Sequence, residues 1–175
     1  MDAFDVLGLA PSFDLDVNEL ERRYRELQKQ LHPDKFVHAS SSERRDSLSR
    51  AVSVNDAYRI LKDELKRAEL LLARRAGAAL GEATVDPELL MEVMELREEL
   101  ASARKRRDIT AARALGTLVA ERAASETQKL RQSFTELAQG HASGAAQMAA
   151  HALTRLRYFR RFQDEVAAIE DEFSE

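Results

Sequence analysis

The 175-residue sequence contains no cysteine and no tryptophan, and it holds only three prolines and six glycines. Without thiols, disulfides, thiolate nucleophiles, most structural zinc sites and iron–sulfur ligation are excluded. The scarcity of Gly and Pro, with few Val, Ile and Thr, argues against a large β-sheet. No apolar run approaches the ~18 residues that signal a membrane-spanning helix, and no secretory pattern opens the chain, so a cytoplasmic location is expected. Nor does charge of one sign dominate. Lys and Arg (27) against Asp and Glu (31) leave a net charge of −4. That balance does not suit nucleic-acid binding, which needs a basic surface to neutralise phosphates. There is no phosphate loop and no convincing carboxylate or Ser/His constellation, so neither an enzyme nor a cofactor is expected.

What remains is rich in Ala, Leu, Glu, Lys and Arg, which together make up more than half of the residues. This composition belongs to helices. An apolar fraction of 44% suffices for a core. The expected fold is therefore all-α with helix-on-helix packing. The elements read as a short helix near Ala3–Leu7, a helix from an Asp16 cap to Leu31, a helix from the capping box Ser40-x-x-Glu43 to Lys62, and a further one over Glu64–Arg75. At the Asp16 cap, Glu19 is placed to answer in the same way. Gly77–Thr84 is small and glycine-bearing and reads as part of a linker over residues 76–85. Beyond it lie three amphipathic helices: Asp86-Pro87 to about Ala103, Ile109–Ala138, and Ala145 to about Glu172. Their short connections predict an antiparallel three-helix bundle over residues 86–175. The last helix shows an apolar arc of Met148, Phe159, Phe162, Val166, Ile169 and Phe173.

Two segments carry chemistry. In the second helix, Leu20, Tyr24, Leu27 and Leu31 recur as a buried stripe. From Leu20, Arg22, Arg25 and Lys29 fall at roughly 200°, 140° and 180°, on the solvent side. This basic stripe, suited to steering an acidic partner, runs directly into His32-Pro33-Asp34-Lys35-Phe36. Pro33 ends the helix, because it lacks an N–H and pushes His32 out of the α region. The turn so formed presents an imidazole and a carboxylate on a fixed backbone. A solvated helix face is the plainer reading of the stripe. His32, Asp34 and His38 match no metal-ligand spacing.

The second segment is the helix after Pro87. Leu89, Val93, Leu96 and Leu100 form a narrow core stripe, while Leu90, Met94 and Met91 lie roughly 100–200° away. Flexible methionines on a face that faces water suit an adaptable binding surface. Glu92, Glu95, Glu98 and Glu99 supply an acidic rim, opposed by Arg97 alone. The plainer reading is that Leu90 and Met91 pack on the first half of the chain or cap the bundle.

The order of these features resembles a J domain over about Met1–Arg75: Phe4-Asp5-Val6-Leu7-Gly8-Leu9, the basic helix, Leu31-His32-Pro33-Asp34-Lys35-Phe36, and Asn55-Asp56-Ala57-Tyr58-Arg59-Ile60-Leu61. The resemblance implies a co-chaperone that stimulates ATP hydrolysis by a DnaK-class chaperone. His32, Pro33 and Asp34 would then be the trigger, and Arg22, Arg25 and Lys29 the docking face. The remainder lacks the Gly/Phe-rich and cysteine zinc modules of most J proteins. Instead Leu89-Leu90-Met91-Glu92-Val93-Met94-Glu95-Leu96-Arg97-Glu98-Glu99-Leu100 resembles the matching segment of the HscB family. So do Arg67-Ala68-Glu69-Leu70-Leu71-Leu72 and Leu156-Arg157-Tyr158-Phe159. That family delivers the iron–sulfur scaffold IscU to the chaperone HscA. The resemblance implies a scaffold-binding patch of Leu90, Met91, Met94, Glu95, Glu98 and Tyr158. It also implies the bacterial form, with no cysteine metal site and no cluster held by the protein itself. The family pattern is acidic one turn beyond Glu98, where this chain has Ser102. A monomer is expected. The alternative is a J protein with a different client.

Overall fold

The computed structural model describes residues 1–76, 86–140 and 144–174. Among these residues there are helices and no strands: α1 (Ala3–Leu7), α2 (Val17–Gln30), a 3-10 turn (Pro33–Phe36), α3 (Ser41–Lys62), α4 (Glu64–Ala76), α5 (Pro87–Lys105), α6 (Ile109–Ala138) and α7 (Ala145–Ser174). The chain divides into two compact units, Met1–Arg75 and Ala76–Glu175. Apart from Ala76, which ends α4, the expected linker lies outside the described residues.

Helix ends in the first unit are set by side chains that satisfy free backbone N–H groups. Asp2 accepts from the N–H groups of Phe4 and Asp5, and Asp5 returns a bond to the Asp2 N–H. Gly8 closes α1 at φ 64°, a left-handed conformation that other residues adopt at a cost. Ser40 and Glu43 form a complete capping box at the start of α3. At α2 the expectation is only half met. Asp16 accepts from Asn18 and Glu19, but the Glu19 carboxylate does not return to the cap. It takes Arg22 Nε and Nη2 at 2.7 and 2.6 Å instead, because a charge-assisted fork outcompetes a neutral backbone donor.

Helices α2 and α3 form an antiparallel hairpin, with α1 against α3. Phe4, Leu7, Phe13, Leu20, Val54, Ala57 and Leu61 are buried within it. Tyr24 and Leu27 are half-buried, and Tyr24 stacks on Tyr58 with centroids 4.1 Å apart. From α4, Arg67 is buried; its Nη1 donates to the Leu61 carbonyl at 2.5 Å and its guanidinium lies 5.5 Å from the Phe13 ring centroid. Burial lowers its pKa, yet a guanidinium stays charged.

In the second unit α5 and α7 run parallel, and α6 runs antiparallel to both. Ion pairs read out this register. Glu92–Arg155, Arg97–Glu165 and Arg104–Glu172 join α5 to α7, and Arg113–Glu170 joins α6 to α7. The core stripe Leu89, Val93, Leu96 and Leu100 meets Leu115 and Val119 of α6 and Phe159, Phe162, Val166 and Ile169 of α7. Each such side chain contributes on the order of 1.5–3 kcal/mol by leaving water. Gly116 lets α6 and α7 approach: a Cβ there would sit 3.2 Å from Val166 Cγ1. Met148 departs from the predicted arc. It lies on the same face of α7 as Phe159 but is 54% exposed, because it borders an open, largely polar groove with Asp86, Glu88 and His151 and does not join the apolar core.

Hydrogen bonds from the Asp2 backbone, then Arg74, hold the Asp5 carboxyl below its ordinary value of 3.8. Arg22 does the same for Glu19, and Ser40 for Glu43, relative to 4.5. Their folded values lie below their unfolded ones, so the stabilisation is present above the ordinary carboxylate range and is lost as pH falls through the folded values. Melting temperature followed by circular dichroism should therefore fall as pH drops below about 4, and Glu43→Gln should blunt part of that fall.

Candidate functional site

The first candidate surface is the exit of α2. Leu31 ends the helix and is buried, whereas His32, Pro33, Asp34 and Lys35 are exposed. His32 has extended backbone (φ −61°, ψ 133°), as a residue before proline must. Pro33 opens the 3-10 turn, where no intrahelical N–H is needed. His32 Nδ1 accepts from the Asp34 N–H at 3.3 Å and lies 3.4 Å from the Asp34 carboxylate. The Lys35 N–H bonds the His32 carbonyl at 3.0 Å. These local bonds make the turn a fixed projection with both functional groups facing water.

The predicted basic stripe is exposed, but it is not a free positive field. Arg22 is forked between Glu19 and Glu26, and Arg25 pairs with Glu21 at 3.0 Å. These neighbours raise the Arg22 pKa. Among the described residues, Lys29 has no carboxylate partner. Exposed intrahelical pairs of this kind contribute little to stability, so exchanging them for other carboxylates would cost little.

Behind the turn lies a cavity of about 370 Å³ that the sequence reading missed, lined by Gln28, His32, Pro33, Phe36, Arg44 and Leu48 among others. Leu48 is 65% exposed and Val52 is 51% exposed. The signal was present: counted from the buried Leu61, these two sit at roughly 140° and 180°, off the core stripe of α3. Among the described residues no three His, Asp or Glu side chains converge as a metal site, and His32, Asp34 and His38 do not form one.

The second candidate surface is on α5. Leu89, Val93, Leu96 and Leu100 are buried, whereas Leu90, Met91 and Met94 are half or more exposed. The bundle core closes without them. Glu95 and Glu98 are exposed beside them. Tyr158 is only half-buried and packs at the edge of the core. The rungs Glu92–Arg155 and Arg97–Glu165 bracket it, which sets it at the level of this apolar face. The acidic rim needs one correction. Glu92 does not face solvent; it takes Arg122 Nη1 at 2.5 Å and Arg155 Nη2 at 2.6 Å. Two guanidiniums from α6 and α7 draw it into the helix interfaces, beside the buried Glu126. Arg97, expected to oppose the rim, is occupied by Glu165 at 2.6 Å. At the position where the family pattern is acidic, the Ser102 hydroxyl accepts from Arg106 at 3.0 Å.

The two faces of α5 should differ in thermodynamic weight. Met91→Ala with Met94→Ala should shift stability by no more than about 0.5 kcal/mol per site. Leu96→Ala, two residues beyond Met94 on the buried face, should cost about 2–5 kcal/mol in urea unfolding.

Comparison with known proteins gives a consistent result. Residues 2–70 match the family model of the DnaJ domain, and residues 85–167 match that described as the HSCB C-terminal oligomerisation domain. The co-chaperone protein HscB homolog of Shewanella halifaxensis is 35% identical over 98% of both chains. That of Vibrio cholerae is 37% identical over 98% of both. Among solved structures, chaperone HscB from Vibrio cholerae superposes with a TM-score of 0.80 at 37% identity, covering 99% of each chain. Human co-chaperone HscB gives 0.82 at 28% identity, covering 97% of this chain and 82% of the other.

Proposed function

The chain belongs to the HscB co-chaperone family, and from that premise we propose that it carries an IscU-type iron–sulfur scaffold to an HscA-type chaperone of the DnaK class. Residues 1–75 act as the J domain and 86–175 as the scaffold-binding domain, joined through 76–85. The observation that carries this reading is the pairing of two surfaces that the fold leaves open: the His32-Pro33-Asp34 turn and the Leu90, Met91 and Met94 face.

His32, Pro33 and Asp34 engage the ATP-bound chaperone. Arg22, Arg25 and Lys29 dock beside them by exchanging intramolecular glutamates for the partner's acidic groups. The hydrolysis chemistry belongs to the chaperone, and the co-chaperone supplies contacts. On α5, apolar side chains of the scaffold cover Leu90, Met91 and Met94, with Tyr158 as an aromatic edge and Glu95 and Glu98 as the charged margin. Holding both partners raises the effective concentration of scaffold at the chaperone to the millimolar range typical of short tethers. The protein works as a cytoplasmic monomer. In the second reading, the same J domain serves a different client. It would keep every effect of the turn and lose scaffold binding.

His32→Gln should abolish stimulation of the chaperone's ATPase while calorimetric affinity for the scaffold is unchanged; normal stimulation would remove the claim for the turn. Met91→Ala with Met94→Ala should weaken scaffold binding at least about tenfold, since one buried apolar contact is worth roughly 1.5–3 kcal/mol. It should leave stimulation by the J domain alone intact. Unchanged affinity would mean that the scaffold binds elsewhere.

A further inference from the structure

The bonds made by the His32 turn itself are all local, running between His32, Asp34 and Lys35. The turn joins α2 to α3 and shares a cavity with Arg44, Ser47 and Leu48 of α3, so its direction is set by how the end of α2 is held on α3. Apolar packing between α2 and α3 sets their separation. It fixes their axial register weakly, because Ala, Val and Leu contacts change little when one helix slides on another. Directional bonds between buried or half-buried polar groups can specify register where apolar contact does not.

Two polar residues of α3 reach the last turns of α2. Asn55 Oδ1 accepts from the Tyr24 hydroxyl at 2.9 Å and from Gln28 Nε2 at 2.5 Å. Gln28 Nε2 also donates to the Tyr24 hydroxyl at 3.0 Å, which closes a three-membered ring of bonds. Two turns earlier on α3, the buried Ser47 hydroxyl donates to the carbonyl of Leu31, the residue before His32, at 3.3 Å. Asn55, Gln28, Ser47, His32 and Pro33 all border the same cavity. The clamp thus grips α2 at both ends of its final turn.

We propose that Asn55, acting with Ser47, is a positioning residue for the chaperone trigger: it locks the register of α2 on α3, and the turn strung between the two helices then holds His32-Pro33-Asp34 at a fixed angle to the docking stripe on α2. The inference rests on the reading of the turn given above and assigns a role to a residue which that reading leaves unused. Both donors converge on the amide oxygen, so the requirement is for an acceptor. A carboxylate at this position meets it; a hydrocarbon of similar size does not.

The test titrates each variant into an HscA-type chaperone and reads maximal ATPase stimulation separately from the concentration giving half of it, with His32→Gln in parallel. Asn55→Leu should lower the maximum about fivefold or more with the half-saturating concentration within about twofold, because the trigger is misaimed while the stripe still docks. Asn55→Asp should restore the maximum. Tyr24→Phe, which keeps the ring stack and loses one donor, should fall between, and it carries the test if Asn55→Leu does not fold. An unchanged maximum in folded Asn55→Leu or in Tyr24→Phe overturns the inference, as does Asn55→Asp failing as badly as Asn55→Leu. Should His32→Gln stimulate normally, the reading of the turn is wrong and the clamp falls with it. Loss in His32→Gln alone removes only the clamp.

Discussion

The missing N–H of Pro33 is the constraint from which the rest of the first unit follows. It stops α2 at Gln30, forces His32 into extended backbone and starts a 3-10 turn in its place. A helix that continued would point the His32 imidazole and the Asp34 carboxylate in directions about 160° apart around its axis. The turn instead brings them to within 3.4 Å on one projection. Leu31 then pins the exit: its side chain is buried and its carbonyl is taken by Ser47. An exposed tip is thus carried on a buried anchor one residue away.

The electrostatics of α2 follow a related economy. Glu19, Glu21 and Glu26 hold the arginines along the helix. Such pairs contribute little at an exposed surface, and they keep long side chains extended rather than freely rotating. Exchanging these carboxylates for others would cost little in desolvation and in side-chain entropy.

The helices themselves were legible in the sequence because their ends are written in short-range chemistry. Asp16, Ser40, Asp86 and Pro33 act within a few residues, and periodicity separated Leu89 from Leu90 without reference to any other part of the chain. What was not legible depends on partners distant in sequence. Glu92 reads as part of an acidic rim until Arg122 and Arg155 arrive from two other helices. Met148 reads as core until it proves to border a polar groove with Asp86 and Glu88 of the chain entering α5. Leu48 and Val52 were overlooked for a different reason. Periodicity places them off the core stripe, but the cavity that Leu48 borders is built from residues of two helices and a turn and has no one-dimensional signature. Asn55 was legible as part of a family-like string, but its role as an acceptor appears only with Tyr24 and Gln28 beside it.

The same long-range pairs explain why the apolar face of α5 stays outside. Leu90, Met91 and Met94 would gain by rotating inward, since each exposed methylene forgoes roughly 0.8 kcal/mol of burial. Two terms oppose the rotation. Turning α5 would expel Leu89, Val93, Leu96 and Leu100 from a closed core. It would also pull Glu92 away from two guanidiniums while Glu126 and Arg155 remain largely buried, and stripping one partner from such a cluster costs several kcal/mol. The ion cluster therefore acts as a rotational lock on α5. A surface that sequence periodicity describes as unneeded by the bundle is held exposed by polar bonds on the opposite side of the same helix.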